Sequence, residues 1–227
     1  IAQACGAIQD ISENHKNEQI HLLTTKPYFD LFKKNPHIHN VILDKRLSKF
    51  NLIYLYQLTR KLKSLNFNKI YDLQNSSRTN FYKNILFPKA KSDKWSSSET
   101  TLPTNVSKNE FDKNPVLDRF NHQLKTSDIN TLNTMKPNFN WACTNIDNIK
   151  NNYDLEKYII LFPFCSTHLK IKKWPYFNEL IELIKNRLNN KYKVIVAPGP
   201  SEIDDAKSID AISILDEEKI LDISQLS

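Results

Sequence analysis

The sequence predicts an α/β fold made of two Rossmann-like domains that face each other across a cleft. Short apolar strand patterns alternate with stretches of helical length, which is the grammar of parallel βαβ units. That grammar occurs twice. Between the two runs, residues 92–150 are rich in Ser, Thr, Asn, Asp and Pro and carry one clear helix, "NPVLDRFNHQL". With 227 residues and 40% hydrophobic content, the chain can bury one large core or two small ones. The expected division is 1–150 and 151–227, the second domain being incomplete.

In the first domain, "IAQACGAIQDI" places Ile1, Ala4, Ile8 and Ile11 on one helical face. "QIHLLTT" (19–25) reads as a buried strand, and "KPYFDLFKKN" as a short helix with Pro27 in its first turn. "NVILD" (40–44) is the next strand, "LIYLYQLTRKLKSL" (52–65) a helix, and "KIYDLQ" (69–74) a further strand. In the second domain, strand "YIILFP" is followed by helix "WPYFNELIELIKNRL", strand "KVIVAPGP" and helix "SEIDDAKSI". Pro175 suits the first helical position, where a missing N–H costs nothing. Phe177, Leu180, Ile181, Ile184 and Leu188 then form the stripe that packs on the sheet. Ligands of such sheets bind at the carboxyl ends of the strands.

Composition excludes several classes. The net charge of +7 comes with Lys, Asn and Ile enriched along the whole chain and only two glycines, a bias that an AT-rich genome produces without any partner. No zinc-finger spacing or RNP-like aromatic motif accompanies it, so nucleic acid is not an expected partner. Three scattered cysteines fit neither a disulfide framework nor a zinc site, and point to a reducing cytoplasm. His37 and His39 in "NPHIHN" lack a carboxylate or cysteine partner at metal-ligand spacing, so no metal site is expected. The longest apolar run, "YIILFPFC", falls far short of the roughly 20 residues of a membrane span. The chain opens inside a helical pattern without Met and stops at "LDISQLS", where another helix is due, so it reads as an internal fragment.

Two segments carry candidate chemistry. In "CSTHLKIKKWP" a strand end leads through Ser166 and Thr167 to Lys172 and then to a helix N-terminus. Hydroxyls, free N–H groups, the positive end of a helix dipole and ammonium groups in that order suit an anion, and a solvated basic loop is the plainer alternative. In the adjacent βα loop "APGPSE", Glu202 can accept hydrogen bonds from a ribose diol or serve its own helix start. In the first domain, "YDLQNSSRT" gathers Asp72, Gln74 and Arg78 at a strand end, a polar cluster suited to a sugar, although capping by Ser76 or Ser77 explains part of it.

Taken together, these motifs resemble glycosyltransferase family 9, the ADP-heptose:lipopolysaccharide heptosyltransferases and their relatives. "HLLTTKPYFDLFKKNPHIHNVILDKR", "IYDLQNSSRT", "KKWPYFNELIELI" and "VIVAPGPSE" follow one another in that family's order, and the resemblance covers nearly the whole chain. It implies a GT-B fold and metal-independent, inverting transfer of a heptose or related sugar from an ADP-sugar to a saccharide or glycolipid acceptor such as lipopolysaccharide core, with no cofactor. It also implies donor contacts at Ser166, Thr167, Lys172 and Glu202, with Asp72, Gln74 and Arg78 on the acceptor side. A cytoplasmic enzyme in peripheral contact with the inner membrane would follow, its basic surface favouring anionic lipid. The sequence departs from the family at Ala197-Pro198-Gly199, where relatives often carry paired glycines. The family's Gly-Asp loop, which carries the expected catalytic base, would precede Ile1, and its Asp-x-Gly-Pro-x-His loop would follow Ser227. This fragment alone is therefore expected to be inactive. Alternatives are a GT-B transferase using a UDP- or GDP-sugar, a non-catalytic GT-B-like binding protein, and a flavodoxin-like or dehydrogenase domain, the last disfavoured because no Gly-x-Gly-x-x-Gly loop is present.

Overall fold

The computed structural model describes residues 2–88, 94–165 and 171–226. The chain divides into two compact units, Ile1–Ala142 and Cys143–Ser227. The division falls ahead of the expected residue 150 because Ile149, in helix α7 (Asp147–Asn152), packs with Leu155, Ile195 and Ile214 in the core of the second unit.

Unit 1 begins with α1 (Ala2–Asn14), followed by β1 (His21–Thr25), α2 (Lys26–Phe32), β2 (Asn40–Asp44) and α3 (Leu52–Ser64). Strands β1 and β2 pair in parallel, with His21 opposite Asn40 and Thr25 opposite Asp44. Helix α1 serves two packing faces: Cys5 and Ile8 meet Phe32 and Val41, whereas Ala7 and Ile11 meet Phe120 and Leu124 of α6 (Val116–Thr126). Burial raises the Cys5 thiol to about 11, so this cysteine is a packing residue and not a nucleophile. The remaining elements are β3 (Ile70–Tyr71), α4 (Ser77–Leu86), β4 (Trp95–Ser96) and α5 (Lys108–Phe111). Strands β3 and β4 form a second parallel pair.

Strand β3 is shorter than the "KIYDLQ" pattern suggests. Asp72 Oδ1 accepts hydrogen bonds from the Gln74 and Asn75 amides at 3.1 and 2.9 Å, and Asn75 turns into the left-handed region at φ 50°. The Asp72 side chain thus takes the backbone donors that would have continued the ladder. Helix α4 then starts at a capping box, with Ser76 Oγ accepting from the Thr79 amide and Thr79 Oγ1 accepting from the Ser76 amide.

One close approach decides the position of α1. A Cβ on Gly6 would lie 2.2 Å from the Asn133 carbonyl oxygen, a backbone atom that no rotamer change can move. Gly6→Ala should therefore lower stability by about 1–3 kcal/mol through overpacking, despite the better helix propensity of alanine. Urea unfolding followed by fluorescence of the unit 1 tryptophans checks this, and a variant as stable as the parent would show that the helix and the loop are not in register as described.

Unit 2 contains α7, β5 (Tyr158–Leu161), α8 (Phe177–Arg187), β6 (Lys193–Val196), α9 (Ile203–Ala206), β7 (Ile212–Ser213) and α10 (Ile223–Leu226). Its sheet runs β5-β6-β7, all parallel. Val194, Ile195 and Val196 are buried in succession, the unbroken apolar pattern of a strand covered on both faces. In α8, Ile181 is fully buried, but Leu188 lies at the exposed C-cap and drops out of the expected stripe. The helix also starts later than expected. Tyr176 is its N-cap and Pro175 stands outside it, because Trp174 packs edge-on against Tyr176 and Phe177 and holds this stretch as a bend. Among the described residues no helix is long and apolar enough to cross a membrane.

Candidate functional site

In unit 1 the candidate residues meet at the carboxyl ends of β2 and β3. Asp72 is buried, its amide donates to Ser96 O at 2.7 Å, and its carboxylate closes the turn just described. Burial raises the Asp72 carboxyl above the usual carboxylate range, and hydrogen bonds from Thr79 and the two turn amides pull partly against that rise. Gln74 is exposed at the turn. Arg78, in the first turn of α4, donates from Nε to Tyr82 Oη at 2.6 Å and from Nη2 to Leu47 O at 2.9 Å, and its Nε lies 3.6 Å from Asp44 Oδ2.

Asp44 organises this end of the sheet, and the sequence reading did not single it out. It sits at the last position of β2, 6% exposed, and accepts from Tyr54 Oη at 2.5 Å, Tyr82 Oη at 2.9 Å and the Arg46 amide at 2.7 Å. Burial raises both tyrosine hydroxyls above their ordinary range; the Asp44 carboxylate reinforces this at each, while Arg78 pulls Tyr82 the other way. Both therefore remain protonated donors at neutral pH. An acid ending a predicted strand was the available signal; the two tyrosines arrive from separate helices and gave none. Asp44, Arg46, Asp72, Gln74, Arg78 and Thr79 all line one cavity of about 700 Å³ in unit 1. Its apolar wall includes Leu22, Ile42 and Phe120. A volume of that order holds a small organic ligand, and the polar end offers the carboxylate, amide and guanidinium groups that bind hydroxyls.

In unit 2, Ser166 and Thr167 lie outside the described residues. Lys172 is exposed and has no ion-pair partner among the described residues. Its neighbour Lys173 pairs with Asp205 at 3.3 Å, and Asn178 in the first turn of α8 donates to Ser208 O and accepts from the Asp210 amide, both at 3.0 Å. These contacts bring the segment from Lys173 to Asn178 beside α9, whose N-cap is Glu202, and beside the loop that follows α9. The Glu202 carboxylate is turned onto its own loop, where Oε2 accepts from the Gly199 amide at 2.8 Å. A ribose diol binding there would exchange places with that amide. Of the expected site residues, then, Asp72, Gln74 and Arg78 share one cavity, whereas Lys172 and Glu202 belong to the other unit. The histidines near the sheet have structural work: His39 Nδ1 accepts from the Ile20 amide at 3.0 Å.

No family model and no curated protein matches the chain in sequence. Solved structures do match it in fold. A glycosyltransferase family 9 protein from Veillonella parvula DSM 2008 superposes with a TM-score of 0.65 at 13% identity, covering 94% of this chain and 64% of that one. ADP-heptose LPS heptosyltransferase II from E. coli superposes with a TM-score of 0.55 at 12% identity, covering 91% of this chain and 63% of that one. The chain thus spans a little under two thirds of the length of each. The likeness anticipated from the motifs is met in the fold: this is a mixed α/β chain with parallel sheets, folded like these glycosyltransferases of GT-B type.

Proposed function

We propose that the protein of which this chain is part is a GT-B glycosyltransferase that moves a heptose or related sugar from an ADP-sugar to a saccharide or glycolipid acceptor such as lipopolysaccharide core, with inversion and without a metal. The observation that carries this reading is the fold match over more than nine tenths of the chain with two sugar-transferring proteins. In this proposal the two units are the two Rossmann-like domains of the fold, unit 1 taking the acceptor and unit 2 the donor. Asp72, Gln74 and Arg78 bind acceptor hydroxyls. Lys172, with Ser166 and Thr167, faces the donor diphosphate, and Glu202 takes the ribose. The departing diphosphate gains negative charge as the glycosidic bond breaks, and the Lys172 ammonium near the start of α8 is suited to stabilise it. The acceptor hydroxyl needs a base, and no residue of this chain is assigned that role.

Nucleotide binding tests the reading. ADP should bind the chain more tightly than UDP or GDP, and equally well with and without EDTA. Lys172→Ala should weaken ADP binding roughly tenfold or more, the loss of one charge-assisted contact. Calorimetric titration of the three nucleotides measures both effects. A preference for UDP or GDP would move the protein to another donor class, and binding of none of them would leave the donor assignment without support.

A further inference from the structure

Helix α3 and the turn before it carry four large apolar side chains that are each more than two thirds exposed. Phe50 is 91% exposed, Leu52 75%, Ile53 74% and Tyr56 68%. This is a built feature. Ser48 O and Oγ accept from the Asn51 and Phe50 amides, and Asn51 Oδ1 accepts from the Tyr54 amide as the helix cap, so the turn that projects Phe50 is fixed at three points. The opposite face of α3 is fully used, with Tyr54, Leu55, Leu58 and Leu62 buried in the core. Leu52, Ile53 and Tyr56 are separated by one and three residues and so share the outward stripe.

The charge along this stretch of chain has one sign. Lys45, Arg46, Lys49, Arg60, Lys61 and Lys63 are all exposed, and no Asp or Glu occurs from Lys45 through Lys63. The nearest acid in sequence, Asp44, is buried and already engaged by two tyrosines, the Arg46 amide and Arg78. An aliphatic and aromatic stripe flanked by basic side chains matches the interface of an anionic bilayer, where apolar groups enter the acyl boundary and Lys and Arg meet the phosphates. A second copy of the chain fits poorly, because a two-fold contact would set this basic ring against itself.

We infer that the face formed by Phe50, Leu52, Ile53 and Tyr56 with its basic rim is a docking surface for an anionic lipid bilayer. The docking stands independently of the nucleotide assignment, since none of its residues belongs to the proposed donor set and only Arg46 of its rim also lines the unit 1 cavity. Its consequence rests on that proposal: Leu47 O, one residue before the turn, accepts from Arg78, which lines the acceptor-side cavity, so a docked turn brings that side of the cavity close to the lipid surface.

Co-sedimentation of the 227-residue chain with sucrose-loaded vesicles tests this. Vesicles of phosphatidylcholine with about 30 mol% phosphatidylglycerol should bind the chain at least tenfold more tightly than phosphatidylcholine alone. Raising the salt should weaken that binding. Phe50→Ser with Ile53→Ser, and separately Lys49→Glu with Arg60→Glu, should each weaken it on the order of tenfold while leaving the thermal midpoint unchanged, because all four side chains are exposed. Failure of the parent chain to bind anionic vesicles, or binding that neither pair alters, overturns the inference. So does light scattering that shows a vesicle-free dimer lost in the Phe50→Ser, Ile53→Ser pair, which would assign the face to a second copy.

Discussion

Asp10→Ala is expected to lower the unfolding free energy of unit 1 by on the order of 3–5 kcal/mol, near the upper end of what a single substitution does. Asp10 is fully buried in α1, and its carboxylate anchors a loop more than a hundred residues away in sequence. It accepts from the amides of Leu132, Asn133 and Thr134, from Asn133 Nδ2 and from Thr134 Oγ1, at 2.6–3.1 Å. Alanine would strand the fully buried Thr134 amide and hydroxyl and release the half-buried Asn133 amide, and each buried loss costs about 1–3 kcal/mol before relaxation; the exposed Leu132 amide can turn to water, and Asn133 Nδ2 keeps Glu13 as an acceptor. Burial alone would raise this carboxyl, but the hydrogen bonds from Thr134 and Asn133 outweigh it and hold the group below the ordinary carboxylate range. A carboxyl lowered in the folded state stabilises above its unfolded pKa and loses that contribution as pH falls through the folded value. The gap in stability between the parent and Asp10→Asn should therefore narrow as pH drops below about 4. Urea unfolding at neutral and acid pH, read from Trp95 and Trp141 in unit 1, measures it. A gap that stays constant with pH would mean that the Asp10 charge is not what holds the loop.

Most of the scaffold around this anchor was legible in the sequence, and the failures have physical causes. "NVILD" coincides with β2, and "LIYLYQLTRKLKSL" contains α3, because an apolar run ending at an acid and a 3.6-residue stripe are both strong local signals. Strand β4 was missed, with Trp95 read as part of the irregular middle. Two residues cannot show a period, and this strand is held by Gln123, whose Nε2 donates to Ser96 O at 3.0 Å and to Asp72 O at 3.2 Å. Helix α7 was also missed, since "DNIKNN" carries a single buried residue, Ile149, and that contact forms only within the unit 2 core. The candidate site divides in the same way. Asp72 and Arg78 could be picked out as polar groups at a strand end, yet their local work, closing a turn and bridging to Asp44, depends on partners that no spacing announces.

Asp44→Ala should be nearly as damaging as Asp10→Ala, on the order of 2–4 kcal/mol, and its value lies in what it reveals about Arg78. Removing the carboxylate strips two buried tyrosine hydroxyls of their acceptor and leaves Arg78 without its anionic partner, its side chain only 16% exposed. An uncompensated charge in such a place costs more than the pair contributes when both members are present. Two outcomes therefore separate a coupled network from a set of independent contacts. If the Asp44, Tyr82 and Arg78 groups act as one unit, Asp44→Ala with Arg78→Met should cost at least about 1 kcal/mol less than the sum of the single changes, since the second removal takes away a charge that the first had stranded. Strict additivity would show that Arg78 is already satisfied by Tyr82 and Leu47 O and owes Asp44 nothing. The distinction bears on the acceptor role proposed for Arg78, because an arginine held on three sides is preorganised, and a saccharide binding it would not have to offset the entropy of ordering a long flexible side chain. If Arg78 binds the acceptor as proposed and depends on Asp44 for its position, Asp44→Asn, which keeps shape and removes charge, should weaken saccharide binding and leave ADP binding to unit 2 unchanged.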